Sequence, residues 1–250
     1  MIRLVRVELL KLRTTRLWIV LLGVAVVIVT LIVVAVLATP GRDPQSRAIH
    51  DLVTVADVRQ LLAIGGLAAT LALVLGATIS TAEYRYATAG TTYLATPRRQ
   101  RVVTAKMVAA APVGAVFGWL GGSLPLVVAL IWFAFRSRTV PLDGSVPLQI
   151  LQMGLQALFA AVMGVAVGAV LRNQVAAIVG LLVWVTAVEP IVSALIPVTA
   201  KWFPFSGAAG AFSEQTTHRL FGRPAAGALM AVYVILAWAV AVWFERRRDV

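Results

Sequence analysis

The sequence predicts an all-α integral membrane protein with six transmembrane helices, and three observations carry that reading. Of the 250 residues, 60% are hydrophobic and only 13% charged, with a mean hydropathy of +0.92. A soluble domain needs roughly 25% charged residues to cover its surface, so about half of that charge is missing. Six apolar stretches, 18–38, 61–79, 107–135, 150–171, 175–197 and 225–244, are each long enough to cross a hydrocarbon core, which takes roughly 20 residues. Glu189 is the single charged residue inside any of them.

Residues 1–17 precede the first span. Ile2, Val5, Leu9 and Leu12 recur at helical spacing among five basic residues, which predicts an interfacial elbow helix with Glu8, Lys11, Arg13 and Arg16 among its polar positions. The alternative is a basic flank that only sets topology. The apolar run 18–38 exceeds the 7–15 residues of a signal peptide, so it reads as a retained span. After the second span, 61–79, comes the inner loop 80–106. Its stretch 83–96 is helix-compatible up to Thr96, which Pro97 biases out of the α region. Tyr86, Ala89, Gly90 and Tyr93 fall on one face; Arg85, Thr88, Thr92 and Ala95 fall on another. A short cytoplasmic helix with exposed tyrosines would serve as a docking knob. A basic loop holding lipid headgroups is the alternative.

The third stretch, 107–135, is longer than one upright helix needs, and Pro112 and Pro125 are expected to kink it or lay part of it in the interface. Gly114, Gly118 and Gly122 form a small-residue ridge there, as do Ala160, Gly164 and Gly168 in 150–171. Such ridges permit close helix packing, here expected within one subunit rather than at a dimer seam. Gln149, Gln152 and Gln156 share a face at the end of the fourth span, as a pathway lining or a solvated helix end. In 175–197, Thr186, Glu189 and Ser193 share a helical face with Pro190 and Pro197. A carboxylate at the bilayer centre costs about 2.5–3.5 kcal/mol on insertion scales, so it should meet protein or water. Glu189 is expected either to hydrogen-bond the neighbouring segment or to line a wet pathway; in the structural case Glu189→Gln should be tolerated. The segment 199–224, with Trp202, Phe203, Phe205 and Phe212 among Gly and Ala, is too apolar for an ordinary loop. It reads as re-entrant, and 225–244 is the last span.

Charge sets the orientation. There are 22 Lys and Arg against 10 Asp and Glu, an excess that here fits cytoplasmic loops better than nucleic acid. With the N-terminus inside, the inner segments 1–17, 80–106, 172–174 and 245–250 hold 14 Lys and Arg, and the longer outer segments hold eight. Both termini of a multi-pass cell-membrane protein are therefore expected in the cytoplasm. With no cysteine and two histidines, His50 and His218, thiolate or His-rich metal sites are not expected, nor is a cofactor. No GxxxxGK[ST] or HExxH occurs, so neither P-loop ATP hydrolysis nor zinc proteolysis is expected of this chain.

The stretch 8–16, the loop 83–96 closing in Thr96-Pro97-Arg98-Arg99, and Lys106 opening the next span resemble the permease subunits of ABC-2 type transporters along the whole chain. Where that family commonly has Gly-Thr in the loop, this chain has Ala87-Thr88. The resemblance implies a single exporter membrane domain over 1–250, with an elbow, a coupling helix between spans 2 and 3, and a re-entrant element between spans 5 and 6. It also implies a separate ATPase subunit that grips Glu83, Tyr84, Arg85, Tyr86, Thr88, Thr92, Tyr93 and Thr96, a second permease subunit (identical or not), and alternating access without catalysis by this chain. Two other readings are a non-transporting membrane-anchor or sensory subunit and a stand-alone secondary transporter. The latter usually shows internal repeats and several buried polar groups.

Overall fold

A computed structural model describes residues 1–39, 49–86, 88, 98–213 and 221–247. Among them every regular element is helical. In order these are α1 (Ile2–Thr15), α2 (Leu17–Ala38), α3 (Val55–Ala63), α4 (Leu67–Arg85), α5 (Arg99–Ala134), α6 (Ser145–Leu171), α7 (Gln174–Val183), α8 (Glu189–Leu195), α9 (Gly210–Ser213) and α10 (Arg223–Arg247). A 3₁₀ turn, Ile64–Gly66, joins α3 to α4, and a π-helical turn, Trp184–Val188, joins α7 to α8. Six helical runs are long and apolar enough to cross a membrane: Leu17–Ala38, Val55–Arg85, Arg99–Ala134, Ser145–Leu171, Gln174–Leu195 and Arg223–Arg247.

Several helices run past the apolar stretches because nothing local stops them. The second begins at Val55, where Thr54 and Asp57 form a capping box: the Thr54 amide donates to Asp57 Oδ2 at 2.7 Å and the Asp57 amide to Thr54 Oγ1 at 3.3 Å. It continues to Arg85, so Glu83, Tyr84 and Arg85 belong to its last turn. Helix α5 starts at Arg99, eight residues before the apolar stretch, and continues through Pro112 and Pro125 without interruption. Its 36 residues span about 54 Å at 1.5 Å per residue, so one end extends beyond a bilayer core. Arg172, in the left-handed conformation (φ 52°), makes the tight turn from α6 to α7, and Asn173 Oδ1 accepts the Ala176 amide at 3.0 Å to cap α7.

The α3–α4 run and α6 are the most buried spans, and α2, α7–α8 and α10 lie around them. Leu73, Ala77, Phe117, Ala157, Ala161 and Val165 form the centre. The ridges are filled within the chain: Gly114 and Gly118 meet the α6 backbone at Ala157 and Met153, and Gly164 meets α4 at Leu73. A Cβ at Gly118 would overlap the Met153 carbonyl oxygen, a backbone atom that cannot swing aside. Gly118→Val should therefore destabilise the protein by at least about 1–3 kcal/mol, the usual cost of overpacking. Gly23→Ala on α2, with nothing within 4 Å, should not. Thermal unfolding of both variants in detergent checks this.

Gln149 and Gln152 are buried rather than solvated. Gln149 exchanges hydrogen bonds with Arg59, accepting from Nε at 3.2 Å and donating to the carbonyl at 3.0 Å. The helical turns Pro197–Trp202 and Pro204–Ala209 and the short helix α9 make up the first part of the region expected to be re-entrant, of which 214–220 lie outside the described residues. Ala208 and Ala209 are buried there with Phe159 of α6 and Met230 of α10.

Candidate functional site

Arg16, also left-handed (φ 52°), ends α1 and starts α2. This fold-back lays α1 beside the end of α4 and the start of α5. Glu8, Glu83 and Lys106 are all buried there. Lys106 Nζ lies 3.0 Å from Glu8 Oε2 and 2.9 Å from Glu83 Oε1; Lys11 Nζ lies 2.7 Å from Glu8 Oε1 and 2.6 Å from Glu83 Oε1. Two carboxylates and two ammoniums thus alternate around one ring. An isolated buried ion costs several kcal/mol, and mutual pairing offsets that cost, so separating the three helices would strand a buried charge. Burial alone would lower the Lys11 ammonium. Hydrogen bonds and charge from Glu8 and Glu83 outweigh it and hold Lys11 above its ordinary 10.5. Its folded-state pKa is raised, so its contribution is complete at neutral pH and fades only as pH rises through that higher value.

The next residue, Tyr84, points into a second network. Its Oη donates to Glu245 Oε1 at 2.5 Å, and Arg172 Nη2 donates to Glu245 Oε2 at 2.9 Å. The Arg172 guanidinium lies 5.2 Å from the centre of the Tyr84 ring, and Arg99 Nη1 donates to the Glu245 carbonyl at 2.7 Å. Arg85 Nη1 reaches Gln174 Oε1 at 3.0 Å. Consecutive residues at the end of α4 therefore join α1 and α5 on one side and the α6–α7 turn and α10 on the other. Between α1, α4 and the start of α7 lies a groove of about 640 Å³, lined in part by Leu12, Thr78, Ile79, Glu83 and Tyr86.

Of the residues expected to couple to an ATPase, Glu83 and Tyr84 are thus tied into the bundle, and Tyr86 is 69% exposed. The Thr88 amide bonds the Glu83 carbonyl at 2.9 Å. Thr92, Tyr93 and Thr96 lie outside the described residues, as do Ala89, Gly90 and Ala95. On α1, Arg13 and Arg16 are exposed. The buried side of α1 carries Glu8 and Leu12, while Ile2 and Leu9 of the expected apolar stripe are exposed. Glu245 and Arg172 went unremarked in the sequence. A lone acid between the last span and the arginines Arg246 and Arg247 was the available signal.

The fifth span departs from its expected pattern. Thr186, Glu189 and Ser193 do not act as one face: Thr186 is exposed and donates to the Leu182 carbonyl at 2.7 Å, whereas Glu189 is fully buried. The π turn rotates the residues after it relative to an unbroken α-helix. The Ser193 hydroxyl is buried without a partner among the described residues. Glu189 accepts three hydrogen bonds: Trp184 Nε1 at 2.8 Å and the Phe205 amide at 3.3 Å on Oε1, and the Ser206 amide at 2.6 Å on Oε2. Trp184 and Glu189 are five residues apart, a spacing that faces across a π turn. Phe205 and Ser206 open the Pro204–Ala209 turn, whose first amides have no partner within the turn.

Nothing in either network is arranged for bond-breaking chemistry, and among the described residues no three His, Asp or Glu side chains gather to hold a metal. Both networks tie helices to one another. A family model described as ABC-2 family transporter protein matches residues 4–189, which includes most of α1, all of α4 and α5, and the whole Glu8–Lys11–Glu83–Lys106 ring. The chain belongs to the ABC-2 transporter family. No curated protein and no solved structure matches it. This ABC-2 protein is a multi-pass membrane transport permease, a membrane component that is not itself catalytic. Permeases of the family generally work with an ATPase subunit in the membrane.

Proposed function

We propose that this permease is the membrane subunit of an ATP-driven exporter in the cell membrane, with both termini in the cytoplasm. A separate ATPase docks on 80–106, a second permease subunit completes the pathway, and alternating access moves the cargo. The observation that carries this reading is the buried ring joining Glu8, Lys11, Glu83 and Lys106. A push on the loop after Glu83 reaches α1 and α5 together, because their charges cannot separate without leaving a buried ion unpaired. In this reading α1 is the elbow, the stretch after α4 is the coupling element, and the turns after α8 are the re-entrant element. The exposed Tyr86 supports an external partner here, since aromatic residues dominate buried contact spots once covered.

The test is co-reconstitution with the ATPase that co-purifies in mild detergent. The permease alone should show no ATPase activity, and the complex should show cargo-responsive hydrolysis. Tyr86→Ala with Tyr93→Ala should weaken association or uncouple hydrolysis from transport by roughly tenfold, the scale of one lost aromatic anchor of about 2 kcal/mol or less, while membrane insertion survives. Wild-type binding and coupling in that variant would move the docking face to Arg85, Thr88 and Thr92. Gradient-driven transport without an ATPase would favour a secondary transporter, and binding without transport would favour an anchor or sensory subunit.

A further inference from the structure

Arg98, Arg99, Gln100 and Arg246 line a cavity of about 410 Å³ between the start of α5 and the last turn of α10. Its walls are held in place: Arg99 donates to the Glu245 carbonyl, and Arg246 donates to Gln100 Oε1. Glu245 in this turn is 1% exposed, and its carboxylate oxygens accept from Tyr84 and Arg172. Among the described residues, neither Arg98 nor Arg246 has a carboxylate within ion-pair distance. The guanidiniums of Arg98, Arg99 and Arg246 thus line one opening. Trp238 and Trp243 precede Arg246 on α10 near the end of its apolar stretch, and tryptophan concentrates at membrane–water interfaces. Trp238 Nε1 donates to Thr104 Oγ1 at 2.8 Å, and the half-exposed Trp243 lies under the Arg247 guanidinium at 4.2 Å.

We propose that this cavity binds the phosphate of an anionic phospholipid at the headgroup level and so clamps α5 to α10. Arginine forks match phosphate oxygens two at a time, and juxtamembrane arginines draw anionic lipid to the surface. The end of the apolar stretch at Phe244 and the two tryptophans before it favour a lipid over a segment of a protein partner, because headgroups gather where an apolar span ends. The site does not depend on which cargo is moved, nor on whether the chain is an exporter.

The test is native mass spectrometry of the full chain with phosphatidylglycerol or phosphatidylcholine of matched acyl chains, and with inorganic phosphate as competitor. The wild type should retain phosphatidylglycerol preferentially. Arg98→Gln with Arg246→Gln should cut that preference about tenfold, the scale of one charge-assisted hydrogen bond. Arg3→Gln with Arg6→Gln, which removes two exposed charges from α1, should change it less than about twofold, close to the RT ln 2 of a weak surface charge. Matched thermal unfolding without lipid guards against misfolding. If the cavity variant misfolds, Arg98→Lys serves in its place, with a smaller loss expected because lysine lacks the fork. Equal losses in the cavity and control pairs would reduce the effect to bulk charge and overturn the site. So would absence of any phosphatidylglycerol preference. Competition by millimolar inorganic phosphate would assign the cavity to a free anion instead of a lipid. Unchanged lipid retention with lost ATPase binding would assign it to a protein partner.

Discussion

Lys106→Met should be among the most damaging single changes in this permease. Methionine keeps most of the side-chain volume and removes the charge. Glu8 and Glu83, both buried, would then share Lys11, whose side chain is 43% exposed. Removing one partner of a buried ion pair costs about 3–5 kcal/mol, because the remaining charge is stranded. Paired changes separate a ring from four independent charges better than either change alone. Glu8→Gln with Lys106→Met leaves Lys11 and Glu83 as a neutral pair. That double variant should be more stable than the sum of the two single effects predicts, by about 0.5–3 kcal/mol, as for other directly coupled residues. Unfolding in detergent measures the cycle, and transport in proteoliposomes measures the consequence. Additive destabilisation would show that the four charges do not act as a ring, and the proposed coupling of α1 to α5 would lose its basis.

The two networks divide the work at the end of α4. Glu83 ties to Lys11 of α1 and Lys106 of α5, and Tyr84 to Glu245 of α10, 161 positions away in sequence. A helix end held on both flanks transmits a displacement instead of absorbing it, because neither flank can let go without exposing a buried ion or an unpaired hydrogen-bonding group. In the proposed reading the path from a docked partner to the bundle is short and polar, whereas the packing around Gly118 and Gly164 is tight and apolar.

Hydropathy was enough to read the spans, because in a membrane the backbone must satisfy itself and helices follow from apolar length alone. Where apolar character stopped, the reading stopped with it. Helix α5 runs eight residues further than its apolar part, since nothing between Arg99 and Lys106 breaks a helix. Glu8, Lys11, Glu83 and Lys106 were each visible as polar residues near the ends of spans. Their convergence was not, because pairing between distant positions leaves no periodic trace in one sequence. Glu245 was missed for the opposite reason: one acid beside arginines looks like an ordinary solvated flank until its burial is known. The π turn at Trp184–Val188 was equally invisible, since its composition, Trp-Val-Thr-Ala-Val, suits an α-helix as well. That turn is why a helical wheel placed Thr186 beside Glu189.

Glu189→Gln is expected to be damaging, contrary to what the sequence suggests for a structural carboxylate. Both oxygens of Glu189 accept: Trp184 and Phe205 on Oε1, Ser206 on Oε2. Glutamine offers one acceptor oxygen, so either Ser206 or the Trp184–Phe205 pair would face an NH₂ group. A buried donor left without an acceptor costs about 1–3 kcal/mol. Relief of the buried charge offsets part of this, since a carboxylate in the bilayer carries its own cost of about 2.5–3.5 kcal/mol. That cost is already met here by three donors, each worth about 1.5–3 kcal/mol to a charged acceptor, and by the favourable end of the Pro204–Ala209 turn. The balance favours the carboxylate. Glu189→Ala, which removes every acceptor, should be worse than Glu189→Gln. If Glu189 fastens the turns after α8 to the fifth span, both variants should lower the unfolding temperature and impair cationic and neutral cargo alike. If it instead lines a pathway for cations, unfolding should be unchanged and only cation transport should fall. Unfolding curves and paired transport assays separate the two, and an unchanged unfolding temperature in Glu189→Gln would overturn the fastening role.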